Sequence, residues 1–463
     1  MDNESGCPAR TTEAASPRRL ACTSGGDERG TGMAGSAAGD GVPLPRSLTL
    51  VIGLVVSATV AAALVLGPID PWTPDIGLFA GGADLHVYRD GGWRVQHDLP
   101  LYGGPVVLGL LYTYTPFSAL AFVPLERIPG AYVDNLWMAL NLFVLAACIV
   151  LCCRILGYRI TPYLLLVAAL ATLTCTFLEP VRTTLFYGQI NLVLMLLVLW
   201  DFSRPNSSRL RGVGTGISAG IKLTPAYFVL VFLALRQWRT AAVAISAFLA
   251  TVGVAWAVIP GDSRQYWTST FFDSTRIADN RHPSNQSLRG TLARLTDGQA
   301  PLWLWFVLAA TVTVVSILVS VRLYERGERL LAVALSGLTM AVVSPYSWSH
   351  HWVWLIPLLV WLVHRALTVS RLWWCAAAGL FAATAAWPYW WSTDFIVIGL
   401  FLYPPSWPVA PVLQNIYLVV YVPVLVASAV FARRTRPPAL ATVPSEPVDP
   451  VLEDPPHLPL RSA

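Results

Sequence analysis

Charge is scarce in this sequence. Only 12% of the 463 residues are Asp, Glu, Lys or Arg, whereas 55% are hydrophobic. A soluble domain carries about a quarter charged residues, so a water-facing globular surface is excluded for most of the chain. Lysine is nearly absent: Lys222 is the single lysine among 31 basic residues. The arginines are spread along the chain, and the net charge of +5 gathers into no basic patch of the kind nucleic acid requires. Of the seven cysteines, Cys7 and Cys22 lie near the start of the chain; Cys148, Cys152, Cys153, Cys175 and Cys375 fall in apolar blocks. There Cys behaves as a small hydrophobe. None falls in a stretch read below as an external loop, so no external disulfide is expected. No paired CxxC or His/Cys ligand spacing occurs, and neither a metal nor another cofactor is expected. An internal repeat, which marks many transporters, is also missing.

What the sequence does have is apolar blocks of about 20 residues, the length that crosses a bilayer. They are apolar all round, unlike the half-polar helices of a soluble core. The fold class expected is an all-α integral membrane bundle. Spans are read near 47–67, 132–153, 162–180, 189–202, 240–260, 302–322, 329–347, 350–366, 372–390 and 409–431. The block at 213–235 is interrupted by Gly220, Lys222 and Pro225 and has arginines on both flanks. It reads as two half-helices that enter and return, a form tolerated at membrane depth only where protein or a cavity buries it. Interfacial helices are expected near 86–97 and 106–125. Residues 1–46 and 432–463, rich in Gly, Ala, Ser, Arg or Pro, read as disordered cytoplasmic tails around a catalytic domain at 47–431.

Charge supports one orientation. The loops read as cytoplasmic hold fifteen Arg against the three acids Asp201, Glu325 and Glu328; external loops and flanks hold nine Arg against thirteen acids. Positive residues favour the cytoplasmic side, so a cell-membrane protein with both termini cytoplasmic is expected. Two external loops, 68–131 and 261–301, are long enough to have a function of their own.

The polar residues cluster in those external stretches. Asp84, in DLHVYR, stands near the bilayer surface and suits a general base taking a proton from a hydroxyl; Asp75 and Asp90 are local rivals, and a solvated loop acid is the alternative. Lys222, in AGIKLTP, is a cation in an apolar block and needs an anionic partner, either a distant protein group or a lipid phosphate. EPVRTTLFYGQIN supplies Glu179, Arg182, Tyr187, Gln189 and Asn191, where Arg182 either holds a phosphate or pairs with Glu179. Asn285, Gln286 and Arg289 lie in SNQSLRG; the amides suit sugar hydroxyls or a capping turn. His350 and His351 lie in SPYSWSHHW and suit a phosphate, a sugar or an interfacial turn. Tyr88 and Tyr114, with their neighbouring aromatics, also fit an interfacial belt.

Taken in order, ADLHVYRDGGWRV, LPLYG, YTYTPFSALAFVPL, YGQINLVLMLLVL, AGIKLTPAYFVL, PSNQSLRG and SPYSWSHHWVWLIP resemble glycosyltransferase family 87. Its members are polyprenol-phosphate-mannose-dependent α-1,2-mannosyltransferases of the GT-C superfamily. The resemblance covers roughly 47–431, with Thr115 standing where many relatives have a second proline. It implies a GT-C-like bundle, a polyprenyl-phosphate-mannose donor, and a mannosyl lipid or lipoglycan acceptor at the membrane. It also implies transfer with inversion, and a first-loop acid as base, a role that maps onto Asp84. Lys222, Arg182, His350 and His351 then become candidates for the donor phosphate. Tyr88, Gln189, Asn191, Asn285 and Gln286 become candidates for sugar or acceptor. Two other classes remain open: arabinosyl or protein O-mannosyl transfer within the same superfamily, and a polytopic lipid or solute transporter.

Overall fold

The computed structural model describes residues 41–73, 77–107, 109–273, 276–392 and 395–434. Positions 1–40 and 435–463, nearly all of both expected tails, lie outside the described residues, as does Asp75. Residues 41–46 run into the first helix with Val42 bridged to Tyr158 and Leu44 buried.

The helices in chain order are α1 (Leu48–Leu66), α2 (Ala83–Gln96), α3 (Pro116–Phe122), α4 (Gly130–Ile155), α5 (Pro162–Cys175), α6 (Glu179–Tyr187), α7 (Asn191–Phe202), α8 (Val213–Ile221) and α9 (Tyr227–Ala234). There follow α10 (Trp238–Val258), α11 (Pro260–Thr268), α12 (Leu288–Leu295), α13 (Leu302–Glu325), α14 (Arg329–Val343), α15 (Leu355–Thr368), α16 (Trp373–Ala383), α17 (Ala410–Leu413) and α18 (Ile416–Arg434). Two short antiparallel hairpins, β1 (Pro105–Val107) with β2 (Leu110–Leu111) and β3 (Pro388–Ser392) with β4 (Phe395–Ile398), complete the regular structure.

The protein is a multi-pass helical membrane bundle. Among the described residues, six helices have the length and composition of a span, Ser349–Thr368 counting as one; a seventh is possible if α6 and α7, bent by 118°, form one broken span. The ten spans expected from hydropathy are therefore not all present at full length. At 1.5 Å per residue, the 14 residues of α5 and the 15 of α14 reach only about 21–23 Å, short of the ~30 Å hydrocarbon layer. The span expected at 372–390 is helical for only 11 residues, because Pro388 begins a hairpin. The helix expected near 106–125 is instead a hairpin followed by α3 and a 3₁₀ turn at Val123–Arg127. The one expected near 86–97 is α2.

α14 is the centre of the bundle, buried on nearly every side. Ser316 of α13, Thr339 of α14 and Tyr421 of α18 form a buried hydroxyl chain with bonds of 2.6 and 2.8 Å, which satisfies these groups away from water.

The block interrupted at Lys222 folds as a tight pair. Asp201, at the end of α7, accepts from the backbone of Thr215 at 2.7 Å and its hydroxyl at 2.8 Å, compensating the N-terminal dipole of α8. From there α8 climbs alongside α10, because glycines let the two backbones meet. A Cβ on Gly216 would lie 2.3 Å from the Ala244 carbonyl, and one on Gly220 would lie 2.2 Å from the Thr251 hydroxyl. The helix stops at Ile221, Lys222 is extended (φ −144°, ψ 126°), and Thr224–Ala226 turns the chain into α9. α9 comes back to where α8 began: the Arg211 guanidinium lies 5.6 Å from the Phe202 ring and 6.0 Å from the Phe232 ring.

Candidate active site

Local rules bring four segments to one end of the bundle. α2 begins at Ala83 and carries Asp84 in its first turn, where a carboxylate complements the helix dipole. α6 closes at Gly188 in the left-handed conformation (φ 68°, ψ 38°), which favours glycine, and the sharp turn delivers Gln189 and Asn191. The break after α8 supplies Lys222. A 3₁₀ turn at Ser349–Trp354 supplies His350 and His351.

A continuous chain of side chains joins them. Gln189 donates its amide N–H to Asp84 Oδ2 at 2.5 Å. Its carbonyl accepts from Tyr88 at 2.9 Å and from Tyr114 at 3.1 Å, and these two hydroxyls are 2.8 Å apart. Tyr114 then accepts from Lys222 Nζ at 3.5 Å, and its ring centre lies 5.2 Å from that ammonium. Lys222 also donates to Asn191 Oδ1 at 3.0 Å and lies 2.9 Å from His351 Nε2. An ammonium can only donate, so His351 Nε2 accepts and its ring is neutral with the proton on Nδ1. The Asn191 amide donates onward to the His350 carbonyl at 3.1 Å.

Gln189, Asn191 and Tyr88 are buried, while Asp84, Lys222 and His351 are half-buried, open enough for a ligand to reach them. Crowding by protein strips water from the Asp84 carboxyl and pushes its pKa up to about 6; the Gln189 hydrogen bond and the Lys222 charge oppose that rise. A carboxyl with that pKa is ionised at neutral pH and has gained basicity, the combination general-base chemistry calls for. A small pocket of about 20 Å³ is lined by Asn191 and His351, two of the Lys222 partners, together with Thr224, Pro225, Ser344 and Trp354, among others.

Other expected residues have different places. Arg182 is buried, 5.4 Å from the Phe186 ring and under the electrostatic influence of Glu179. Glu179 accepts from Thr183 at 2.6 Å, from Ser349 at 2.7 Å and from Tyr417. This carboxylate therefore fixes the histidine turn against α18. The Nε2 of His350 is buried without a hydrogen-bond partner among the described residues. Asn285 and Gln286 do not join the chain around Asp84. The Asn285 carbonyl accepts from the Ser347 backbone at 3.1 Å, and the Gln286 amide donates to the carbonyls of Pro283 (2.6 Å) and Gln414 (2.7 Å). The Asn285 side chain pins the second long loop to the segment before the histidine turn, and the Gln286 side chain ties that loop to the start of α18. Among the described residues, no three His, Cys, Asp or Glu side chains converge as a metal site would require.

Tyr114 is the residue whose role the sequence hides. It connects the carboxylate half of the site to the cation half, yet in YTYTP it reads as one more interfacial aromatic. Thr115 beside it bonds to the Gly220 carbonyl and caps α3, tying this loop to the break that carries Lys222. The only sequence signal was the Thr-Pro start of a helix.

Comparison with known proteins matches this architecture to a family. The model of glycosyltransferase family 87 matches residues 112–345, which include Tyr114, Gln189, Asn191 and Lys222. The chain belongs to glycosyltransferase family 87. One relative of this family 87 member, from Mycobacterium tuberculosis (strain CDC 1551 / Oshkosh), is a polyprenol-phosphate-mannose-dependent alpha-(1-2)-phosphatidylinositol pentamannoside mannosyltransferase. It is 34% identical over 66% of this chain and 72% of its own length. A relative with the same description in Mycolicibacterium smegmatis is 36% identical over 65% and 74%. Another from that organism, a polyprenol-phosphate-mannose-dependent alpha-(1-2)-phosphatidylinositol mannoside mannosyltransferase, is 36% identical over 64% and 73%. No solved structure matches the chain.

Proposed function

We propose that this family 87 protein transfers mannose from a polyprenyl-phosphate-mannose donor to a mannosylated phosphatidylinositol-type lipid or lipoglycan, forming an α-1,2 linkage with inversion. The observation that carries this reading is the unbroken path from Asp84 through Gln189 and Tyr114 to Lys222, which holds a base and a cation together at the break in the bundle. The acceptor 2-hydroxyl attacks the anomeric carbon on the face opposite the phosphate. Its proton passes to the Asp84 carboxylate, and the carbon–oxygen bond to the phosphate breaks. The departing polyprenyl phosphate gains charge beside Lys222, whose ammonium is already placed to receive it. His351, Asn191 and Tyr114 hold that ammonium in position; Arg182 and His350 stand behind it as further phosphate-side candidates. Tyr88, Gln189 and Asn191, expected from the sequence to contact sugar, lie buried beneath the charged groups and act by holding Asp84 and Lys222 in place, whereas Asn285 and Gln286 act by fixing the loop above.

The active site lies on the extracytoplasmic side in this reading. The opposite end of the bundle gathers Arg154, Arg211, Arg326 and Arg365, matching the positive-inside preference. The shorter helices α5, α7, α14 and α16 complete about ten crossings, and α8 with α9 enters and returns. The test is transfer of radiolabelled mannose from a polyprenyl-phosphate donor to mannosylated phosphatidylinositol by the purified protein. Wild type is expected to form an α-1,2 product. Asp84→Asn is expected to lower the rate about 10²–10⁴-fold, and Lys222→Met about 10²-fold, with unchanged gel-filtration profiles. Transfer retained by Asp84→Asn would remove the base from this mechanism.

A further inference from the structure

The second long loop carries a site that the transfer mechanism does not use. A cleft of about 410 Å³ lies between residues 279–281, α12 and the first turn of α13. Its floor is Trp305, 8% exposed, whose indole Nε1–H has no hydrogen-bond partner among the described residues. Over that ring, 5.7 Å from its centre, lies the Arg289 guanidinium. Among the described residues Arg289 makes no ion pair or hydrogen bond, in contrast to Arg281 on the same cleft, which is paired with Asp279 at 3.0 Å and Asp297 at 3.1 Å. A buried donor without an acceptor is costly, and so is a cation without a counter-charge. One anionic oxygen-bearing group at the Nε1 edge of Trp305, beside the Arg289 guanidinium, answers both. The two carboxylates at the rim retain lone pairs for hydroxyls.

The position of the cleft selects the source of that group. Trp305 is in the first turn of α13, a bilayer-length helix, and its neighbours Leu302, Trp303 and Phe306 are 52, 65 and 57% exposed. The cleft therefore opens where a span leaves the hydrocarbon, at the level of lipid headgroups. The loop also reaches the active site. Gln286 N–H donates to the Ser347 carbonyl at 2.7 Å, and the His282 and Trp348 rings are 5.4 Å apart, two residues before His350.

We infer that the cleft of Arg289 and Trp305 binds the phosphodiester-linked, hydroxyl-bearing headgroup of the lipid acceptor, anchoring the acceptor at its lipid end while its terminal sugar reaches Asp84. This inference rests on the acceptor class proposed above. The guanidinium and the indole N–H hold the phosphodiester oxygens, and Asp279 and Asp297 accept from ring hydroxyls. Two lipid chains continue down the exposed face of α13.

The test measures binding first and transfer second, on full-length protein in nanodiscs of neutral lipid. Dioctanoyl phosphatidylinositol is expected to bind wild type, with affinity about tenfold weaker in Arg289→Gln. Trp305→Phe, which keeps the ring and removes the N–H, is expected to weaken it several-fold; thermal unfolding of both variants reports their folding. Inorganic phosphate and soluble inositol phosphate are expected to compete poorly. Unchanged affinity in folded Arg289→Gln overturns the site, and equal competition by the soluble phosphates overturns its lipid character. In transfer assays, the preference for mannosylated phosphatidylinositol over octyl mannoside is expected to fall about tenfold in Arg289→Gln. Wild-type protein that binds the lipid yet transfers to neither acceptor would refute the transferase reading and leave the binding site standing.

Discussion

Asp84 has its basicity set by three neighbours of different kinds. The surrounding protein raises its pKa, and the Gln189 amide and the Lys222 charge hold it down. A base works when deprotonated, so the transfer rate should rise with pH through about 6 and level off above it. Gln189→Ala removes a hydrogen bond to the ionised form and should move that acid limb upward; Gln189→Glu adds a like charge and should move it further. A profile of kcat/KM against pH for the three proteins checks both shifts. An acid limb that stays put in Gln189→Ala would detach the amide from the base. This part of the site was partly legible in the sequence. Asp84 and Lys222 stand out because charges are rare in an apolar chain and each needs a reason to be there. Their connection was not legible, since Gln189 meets Asp84 across 105 residues and Lys222 meets His351 across 129. No local pattern encodes such pairings. The amides of Asn285 and Gln286 looked equally suited to sugar, and only the backbone groups around them showed that they were already occupied.

At the scale of the element, the pair α8 and α9 depends on small residues. Gly216 lets α8 approach the Ala244 carbonyl so closely that any Cβ would collide. Gly216→Leu should therefore force the helices apart and lower stability by about 1–3 kcal/mol, read as a fall in the thermal transition in detergent. Lys222 should then lose its distance to Asn191, and transfer should fall along with stability. Gly104→Ala, at a glycine with open space around it, serves as the comparison and should change neither. The sequence made the break visible, since glycine, lysine and proline crowd into six residues of an apolar block. It did not show where shorter helices stop. Hydropathy reports how apolar a stretch is, and α14 is as apolar as a span because it is surrounded by protein rather than because it is long.

On the whole-molecule scale, the two ends of the bundle differ in kind. One gathers both long loops, the histidine turn and the acid; the Leu101 N–H donates to Asp262 at 2.9 Å and so joins the two loops directly. The other end is arginine-rich. Cysteine labelling from outside the cell should distinguish them in a background lacking Cys7, Cys22 and Cys375. Gln299→Cys should react with a membrane-impermeant maleimide in intact cells. Ser207→Cys and Gln237→Cys, which flank α8 and α9, should both react only after permeabilisation if that pair enters and returns as proposed. Opposite accessibility of positions 207 and 237 would make α8 and α9 a single crossing and invert everything that follows. Fold class was legible from composition alone because a bilayer imposes such strong terms on a chain; the number of complete crossings was not.

The close run of α8 along α10 has a further consequence. Gly220 meets Thr251, seven residues before α10 ends at Val258, or about 10 Å along its axis. Lys222 stands two residues beyond that contact, at the break that ends α8. A sugar nucleotide, hydrophilic from end to end, would have to shed its hydration to descend that far. A prenol tail brings its own phosphate into the bilayer, so a break set below the end of α10 suits a lipid-borne donor better than a soluble one.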